Sequence, residues 1–222
     1  MAEVPALVFD LDGTLIDSAP QIHAAVSKAF RTKGLPDIAF ETVKGFIGNG
    51  VGVLVARLLG HVGQNAAGDL HAELVRDFVK IYEEAHDLTT LYPGVAEVLT
   101  QLQGAGHPMG ICTNKPEGPA RAVLRHFKLD TAFDVVIGGD TLPERKPHPA
   151  PVHAAFAALR PGKRIFVGDS EVDAETARAA GVSLALFTGG YRKAPAESLG
   201  ARIIFDHHDA LPRLITHLAP RL

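Results

Sequence analysis

The chain has one cysteine, Cys112, so an intrachain disulfide is impossible and a reducing compartment is expected. No apolar run approaches the about 18 residues needed to cross a bilayer, so no membrane partner is expected. The opening "MAEVPALVFD" lacks the basic stretch, apolar core and small-residue cleavage site of an export signal. A cytoplasmic location is the plain expectation. Charge is no more directive: 22 Lys and Arg stand against 25 Asp and Glu, a formal net of −3, and neither sign gathers into a block. That gives no electrostatic reason to expect nucleic acid as a partner. No G-x-x-x-x-G-K-[ST] loop occurs, and none of the eleven histidines falls into H-E-x-x-H or Cys/His zinc spacing. ATP hydrolysis by a phosphate loop and zinc chemistry are thereby set aside.

What is present is a chain of 222 residues, 46% hydrophobic, enough for one large domain or a domain with a sizeable insert. Short apolar runs recur at Ala6–Asp10, Pro108–Cys112, Asp134–Gly138, Arg164–Gly168, Ser183–Phe187 and Arg202–Phe205. Each is nearly continuous, the pattern of a strand covered on both faces. Pro119–Phe127, Ala150–Leu159 and Glu175–Ala180 read as crossover helices between them. The expected fold is α/β: a Rossmann-like parallel sheet with helices on both faces. Ligands in such sheets gather at the carboxyl ends of the strands.

One stretch breaks the alternation. From Ser18 to His86 helical signals follow one another without a strand. Ile22, Ala25, Val26, Ala29 and Phe30 keep the spacing of an amphipathic helix, closed by Gly34. Val51–Leu59 gives a second helix, and Leu70, Leu74, Phe78, Ile81 and Tyr82 a third. "LYPGV" then leads through a turn into another helix. Residues 18–86 are therefore expected to form an α-helical insert over the active edge of a core made of 1–17 and 87–222.

Chemistry-bearing residues collect just past four strands. The first run delivers Asp10 and Asp12, two positions apart and so on the same face, with Gly13 for a tight turn and Thr14 behind it. Two carboxylates about 4 Å apart repel by roughly 4 kcal/mol at an effective dielectric near 20, and something must offset that. The second run ends in Thr113 and Asn114, the third leads to Lys146, and the fourth delivers Asp169 and Asp173. Each has a plain reading taken alone: an Asp-x-Asp-Gly turn, a helix cap at Thr113, a solvated lysine, a strand–turn–cap at Gly168-Asp169-Ser170. Cys112 in its apolar strand reads as a buried, inert thiol, and "GGYRKAP" at 189–195 as a flexible loop.

Together, however, acid, hydroxyl, cation and acid at successive strand ends supply what phosphoryl transfer from a monoester requires. Asp10 and Asp169 can hold Mg²⁺ through oxygen, which answers the repulsion and neutralises a phosphate dianion. Thr113 with its neighbouring N–H groups, and Lys146, would act on transition-state charge. Asp10 would attack phosphorus to form an aspartyl-phosphate, and Asp12 would serve as acid, then base.

"VFDLDGTLIDS", "CTNK", "RKPHPAP" and "VGDSEVDAETARAAG" resemble, in order, the four motifs of the haloacid dehalogenase superfamily. The resemblance implies a Rossmann-like core and a mobile helical cap between the first two motifs. Asp10 then resembles the nucleophile and Asp12 the acid/base, which also lends its backbone carbonyl to magnesium. Gly13, Thr14, Thr113, Asn114 and Lys146 fall among the phosphate-binding positions. Asp169 resembles a further magnesium ligand, and Asp173 an acid that binds metal through water or only braces the site.

Asp12 separates the branches. Dehalogenases lack this acid, and phosphonatase-like members replace it and use a cap lysine, so both readings are disfavoured. Phosphatases and phosphosugar mutases keep it. "DSAPQIHAAVSKAF" and "VKGFIGNGVGVLVARLL" resemble phosphoglycolate phosphatases, in which the loop matching Gly48-Asn49-Gly50 is expected near the substrate; a helix–helix turn is the competing reading. Asn49 is thus a candidate contact, while Lys44 and Arg57 read as solvated charge. The expected activity is magnesium-dependent hydrolysis of a small phosphate ester, with 2-phosphoglycolate foremost. A phosphosugar phosphatase or mutase and a non-catalytic binding module stand as alternatives, and monomer and homo-oligomer are both left open.

Overall fold

A computed structural model describes residues 4–83 and 87–218. The chain enters through β1 (Ala6–Phe9), whose four residues are all buried. A tight turn leads to β2 (Ile16–Asp17) and then to four helices in succession: α1 (Ala19–Thr32), α2 (Phe40–Lys44), α3 (Val51–His61) and α4 (Asp69–Glu83). β3 (Thr90–Leu91) returns the chain antiparallel to β2. The rest alternates: α5 (Val95–Gly104), β4 (Met109–Cys112), α6 (Glu117–His126), β5 (Val135–Ile137), α7 (Ala150–Ala157), β6 (Arg164–Gly168), α8 (Glu171–Ala180), β7 (Ser183–Phe187), β8 (Ile203–Phe205) and α9 (Leu211–Leu218).

Six strands form one sheet in the order β5-β4-β1-β6-β7-β8, and every pairing in it is parallel. The alternating pleat sends Leu7 and Phe9 into one buried cluster with Ile111, Val167 and Phe187. Ala6 and Val8 enter the other, with Phe166, Leu184 and Val152. All six expected strands are present, and both faces are covered.

The helices α1 to α4 build a separate apolar cluster around Ile22, Phe30, Leu58, Leu74 and Phe78. The 3.6-residue spacing read from the sequence produced that stripe. Gly34 closes α1 at φ +67°, a left-handed conformation that costs glycine little. The two-stranded ribbon of β2 and β3 was not expected, because two-residue strands leave no period to read. It ties together the two chain passages between insert and core. The expected end of the insert at residue 86, and the outermost core residues 1–3 and 219–222, lie outside the described residues. Helix boundaries shift by up to four residues: α6 begins at Glu117 rather than Pro119, α7 ends at Ala157 rather than Leu159, and α8 begins at Glu171 rather than Glu175. Ser170 caps it, accepting from the Asp173 N–H while Asp173 reaches back to the Ser170 N–H.

Candidate active site

Strand register brings the chemistry together. Phe9 lies opposite both Ile111 of β4 and Val167 of β6. The residues that follow these strands, Asp10, Thr113 and Asp169, therefore emerge side by side. Strand order also reverses about β1, which opens a crevice at its carboxyl end.

Asp10 is buried, and its N–H donates to the Val167 carbonyl at 2.8 Å. Its Oδ1 lies 2.8 Å from Lys146 Nζ, an ion pair without hydrogen-bond alignment. Lys146 also donates to Asp173 Oδ1 at 2.7 Å. Asp173 Oδ2 accepts from the Asp169 N–H at 3.1 Å, the Ser170 N–H at 3.1 Å and the Ser170 hydroxyl at 2.7 Å. Asp169 accepts from the Thr14 hydroxyl at 2.8 Å and the Tyr191 N–H at 2.7 Å. Carboxylate oxygens of Asp10, Asp169 and Asp173 all lie within 4.8 Å of one another, and all three residues are buried.

Three carboxylates against one ammonium leave two negative charges in a buried site. Burial first, then Asp173, push the Asp10 carboxyl up to about 7 against the pull of Lys146. Burial, Asp173 and Asp10 hold Asp169 well above the carboxylate range. Burial pulls the Lys146 ammonium down, but Asp10 and Asp173 outweigh it and keep it charged. A hard divalent cation fits this donor set, which is all oxygen and short of positive charge. Asp10 and Asp169 have the freer oxygens to offer it: each Asp169 oxygen accepts one donor, whereas Asp173 takes three donors on Oδ2 and Lys146 on Oδ1. Close packing reserves the Gly13 side of Asp169 for glycine: a Cβ there, at φ +88°, would stand 2.6 Å from its Oδ2.

Asp12 belongs to a second group. Lys115 Nζ donates to its Oδ1 and Oδ2 at 2.9 and 3.2 Å, and to the Tyr82 hydroxyl on α4 at 2.6 Å. Ser18 donates to Asp12 Oδ1 at 2.6 Å. Burial lowers the Lys115 ammonium, but Asp12 and Tyr82 more than reverse this and raise it.

Other expected residues sort as follows. Thr113 is buried at the end of β4, its Oγ1 accepting the Lys115 N–H at 3.2 Å, so its hydroxyl proton is the part able to reach a ligand. Thr14, expected near phosphate, is fully buried with its hydroxyl on Asp169; it holds the acid. Asn114 donates to the Gly48 carbonyl at 3.0 Å and the Lys146 carbonyl at 2.9 Å. Both its N–H groups thus clamp the helical insert to the Lys146 loop, and only an acceptor oxygen is left, which an anionic phosphate does not seek. Gly48 and Gly50 line the cavity described below, but Asn49 does not. Cys112 is buried and its thiol pushed up to about 12, chiefly by burial, consistent with an inert role.

A cavity of about 70 Å³ lies between core and insert. Asp10, Asp12, Thr113, Asn114 and Lys115 line its core side, and Ile22, Ile47, Val51, Leu54, Phe78, Val79 and Tyr82 its helical side. Lys44 and Arg57 do not line it: Arg57 is exposed, whereas Lys44 is half-buried with its ammonium 5.7 Å from the Tyr191 ring centroid.

Three partners escaped the sequence. Lys115 stood inside the "CTNK" motif with no role assigned, although its place two residues past Thr113 was a usable signal. Tyr82 looked like one more member of an apolar stripe. Tyr191 corrects the reading of 189–195 as a flexible loop. Its hydroxyl accepts from the N–H groups of Ser18 and Ala19 at 2.8 and 3.0 Å and donates to Asp17 Oδ1 at 2.8 Å, while its own N–H holds Asp169.

The model of the family described as haloacid dehalogenase-like hydrolase matches residues 7–187. The chain belongs to this family. Among haloacid dehalogenase-like relatives, a phosphoglycolate phosphatase of Cereibacter sphaeroides is 49% identical over 216 residues, covering 97% of this chain and 99% of its own. One from Rhodobacter capsulatus is 43% identical, with 95% and 96% covered. The crystal structure of a predicted phosphoglycolate phosphatase from Haemophilus somnus superposes with a TM-score of 0.89 at 32% identity, covering 96% of this chain and 99% of the other. Among the described residues, no helix is long and apolar enough to cross a membrane.

Proposed function

We propose that this chain is a magnesium-dependent phosphomonoesterase that converts 2-phosphoglycolate to glycolate and phosphate through an aspartyl-phosphate. The observation that carries the reading is Asp10, 2.8 Å from Lys146 and grouped with Asp169 and Asp173, at a cavity that also receives Asp12 and Thr113. Asp10 and Asp169, with the Asp12 backbone carbonyl, would hold Mg²⁺, and Asp173 would brace the site. Bound there, the ion supplies positive charge that lets a carboxylate approach a phosphate dianion.

Asp10 attacks phosphorus, the bond to the leaving alkoxide breaks, and Asp12 gives that oxygen a proton. Asp12 then takes a proton from water as the water attacks the acyl-phosphate, freeing phosphate and restoring Asp10. Lys146 and the Thr113 hydroxyl stabilise charge on the transferring group, and Gly13 lets the turn pack against Asp169. Residues 18–86 act as a cap that excludes water when closed over a core of 1–17 and 87–222. The cytoplasm suits a chain whose one thiol is buried.

Phosphoglycolate is favoured over a sugar phosphate by the cap-side lining. Ile22, Ile47, Val51, Leu54, Phe78 and Val79 offer side chains with no partner for a row of hydroxyls. The names of the relatives support the same substrate. A panel of phosphoglycolate, sugar phosphates and a chromogenic ester, with and without chelator, tests the reading. Highest kcat/KM on phosphoglycolate, lost on chelation, is expected. Conversion of a sugar phosphate into its isomer would contradict it, as would no turnover of any ester, the outcome for a binding module.

A further inference from the structure

We infer that Lys115 receives the carboxylate of the substrate and so sets its specificity; this deepens the phosphoglycolate reading and rests on it. Phosphoglycolate carries two anionic ends separated by an ester oxygen and one methylene. With its phosphoryl group at Asp10 and Thr113, its carboxylate must land on the lining next to them. Lys115 is two residues beyond Thr113, and it is the sole basic side chain among the described residues that line the cavity.

The other nearby cations are otherwise placed. Lys146 has a side chain 1% exposed and lies between Asp10 and Asp173. Arg145 is outside the lining; its Nε donates to the Gly139 carbonyl, and its Nη1 comes only as near as the Gly50 edge of the cavity. The surroundings of Lys115 suit an organic anion: Leu54, Phe78 and Val79 lower the local dielectric and strengthen an ion pair.

The ammonium has three N–H donors and three recorded acceptors, Tyr82 at 2.6 Å and the two Asp12 oxygens at 2.9 and 3.2 Å. A substrate carboxylate takes the place of the longest contact, to Asp12 Oδ2. Asp12 stays anchored through Oδ1 by Lys115 and Ser18, and Oδ2 is released toward the leaving oxygen. That oxygen is a single carbon away from the carboxylate Lys115 would hold. One ammonium thus reads the substrate and aims the acid.

The test compares kcat/KM for phosphoglycolate with that for ethyl phosphate, which replaces the carboxylate by a methyl group. Any misplacement of Asp12 affects both substrates and cancels in the ratio. Wild type should favour phosphoglycolate, and Lys115→Met should shrink the preference by about 10- to 100-fold, the span of a charge-assisted hydrogen bond, mostly through KM. Lys115→Gln provides a second neutral variant should the first fold poorly, and Lys115→Arg should recover part of the preference. If wild type shows no preference, the substrate reading fails. If wild type prefers phosphoglycolate and the neutral variants keep that ratio, or Arg145→Gln is the variant that loses it, the assignment to Lys115 is overturned.

Discussion

Asp10 and Asp12 stand two residues apart, each beside a buried lysine, yet their surroundings differ in charge. Around Asp10, Lys146 serves two carboxylates and a third stands close by. Around Asp12, Lys115 serves one. The first group is short of two positive charges and the second is balanced. A balanced pair needs no further charge, whereas an unbalanced cluster takes up protons or a cation. On the proposed function, that difference suits one aspartate to gather metal as the nucleophile and the other to act as a positioned acid/base.

Breaking each group should separate them by sign. Asp10→Asn removes the nucleophile, so turnover should fall by at least about 10³-fold. It also relieves repulsion, so at pH 8 without metal the variant should melt about 2–4 °C higher, as for roughly 1 kcal/mol in a chain of this size. Asp12→Asn should cost about 10²- to 10⁴-fold in kcat and destabilise the fold by about 3 kcal/mol, because Lys115 is left buried without its counter-charge. Steady-state kinetics and thermal melts of both variants check this, and melting shifts of the same sign would remove the distinction.

Outside both groups, His208 sets the response to acid. It is buried, its Nε2 is 2.9 Å from the Thr14 carbonyl, and burial lowers its pKa to about 4. The unfolded chain therefore binds a proton below about 6.5 that the folded chain refuses until about 4. The neutral form's stability is fully present above that window, and up to about 3 kcal/mol is lost as pH falls through it. Melts of wild type against His208→Gln should show the slope flattened in the variant. The smallest effect is expected at the junction where Tyr191 meets the chain entering the helical insert. Tyr191→Phe keeps the N–H that holds Asp169 but removes the hydroxyl that joins Asp17, Ser18 and Ala19. A loss of about 1–2 kcal/mol in stability, with little change in the magnesium requirement, would show that this junction and the cation site are separable.

The contrast between the groups was only half legible in the sequence. All six sheet strands could be read, since continuous apolar runs of four or five residues have few other uses, and register then fixed where Asp10, Thr113 and Asp169 meet. Lys146 was marked by its motif as a cation of the site. The balancing charge on Asp12 did not, because a lysine after a strand looks the same whether it turns outward or inward. Its inward turn is set by Tyr82, 33 residues away in a helix whose period marked it only as apolar. Tyr191 was hidden likewise: its partners are 172 to 174 residues distant, and glycines around it suggested looseness. One of them, Gly190, is small because Asp169 fills the space a Cβ would need.

The most direct test of the charge imbalance is calorimetric titration of metal-free protein with Mg²⁺, in parallel on wild type, Asp169→Asn and Asp12→Asn. One ion per chain should bind wild type with release of protons, since burial and the neighbouring carboxylates raise Asp10 to about 7 and hold Asp169 well above the carboxylate range. Asp12→Asn should still bind, since its backbone carbonyl is intact, and Asp169→Asn should lose most affinity. Equal binding by Asp169→Asn, or abolished binding in Asp12→Asn, would contradict the division of the two groups.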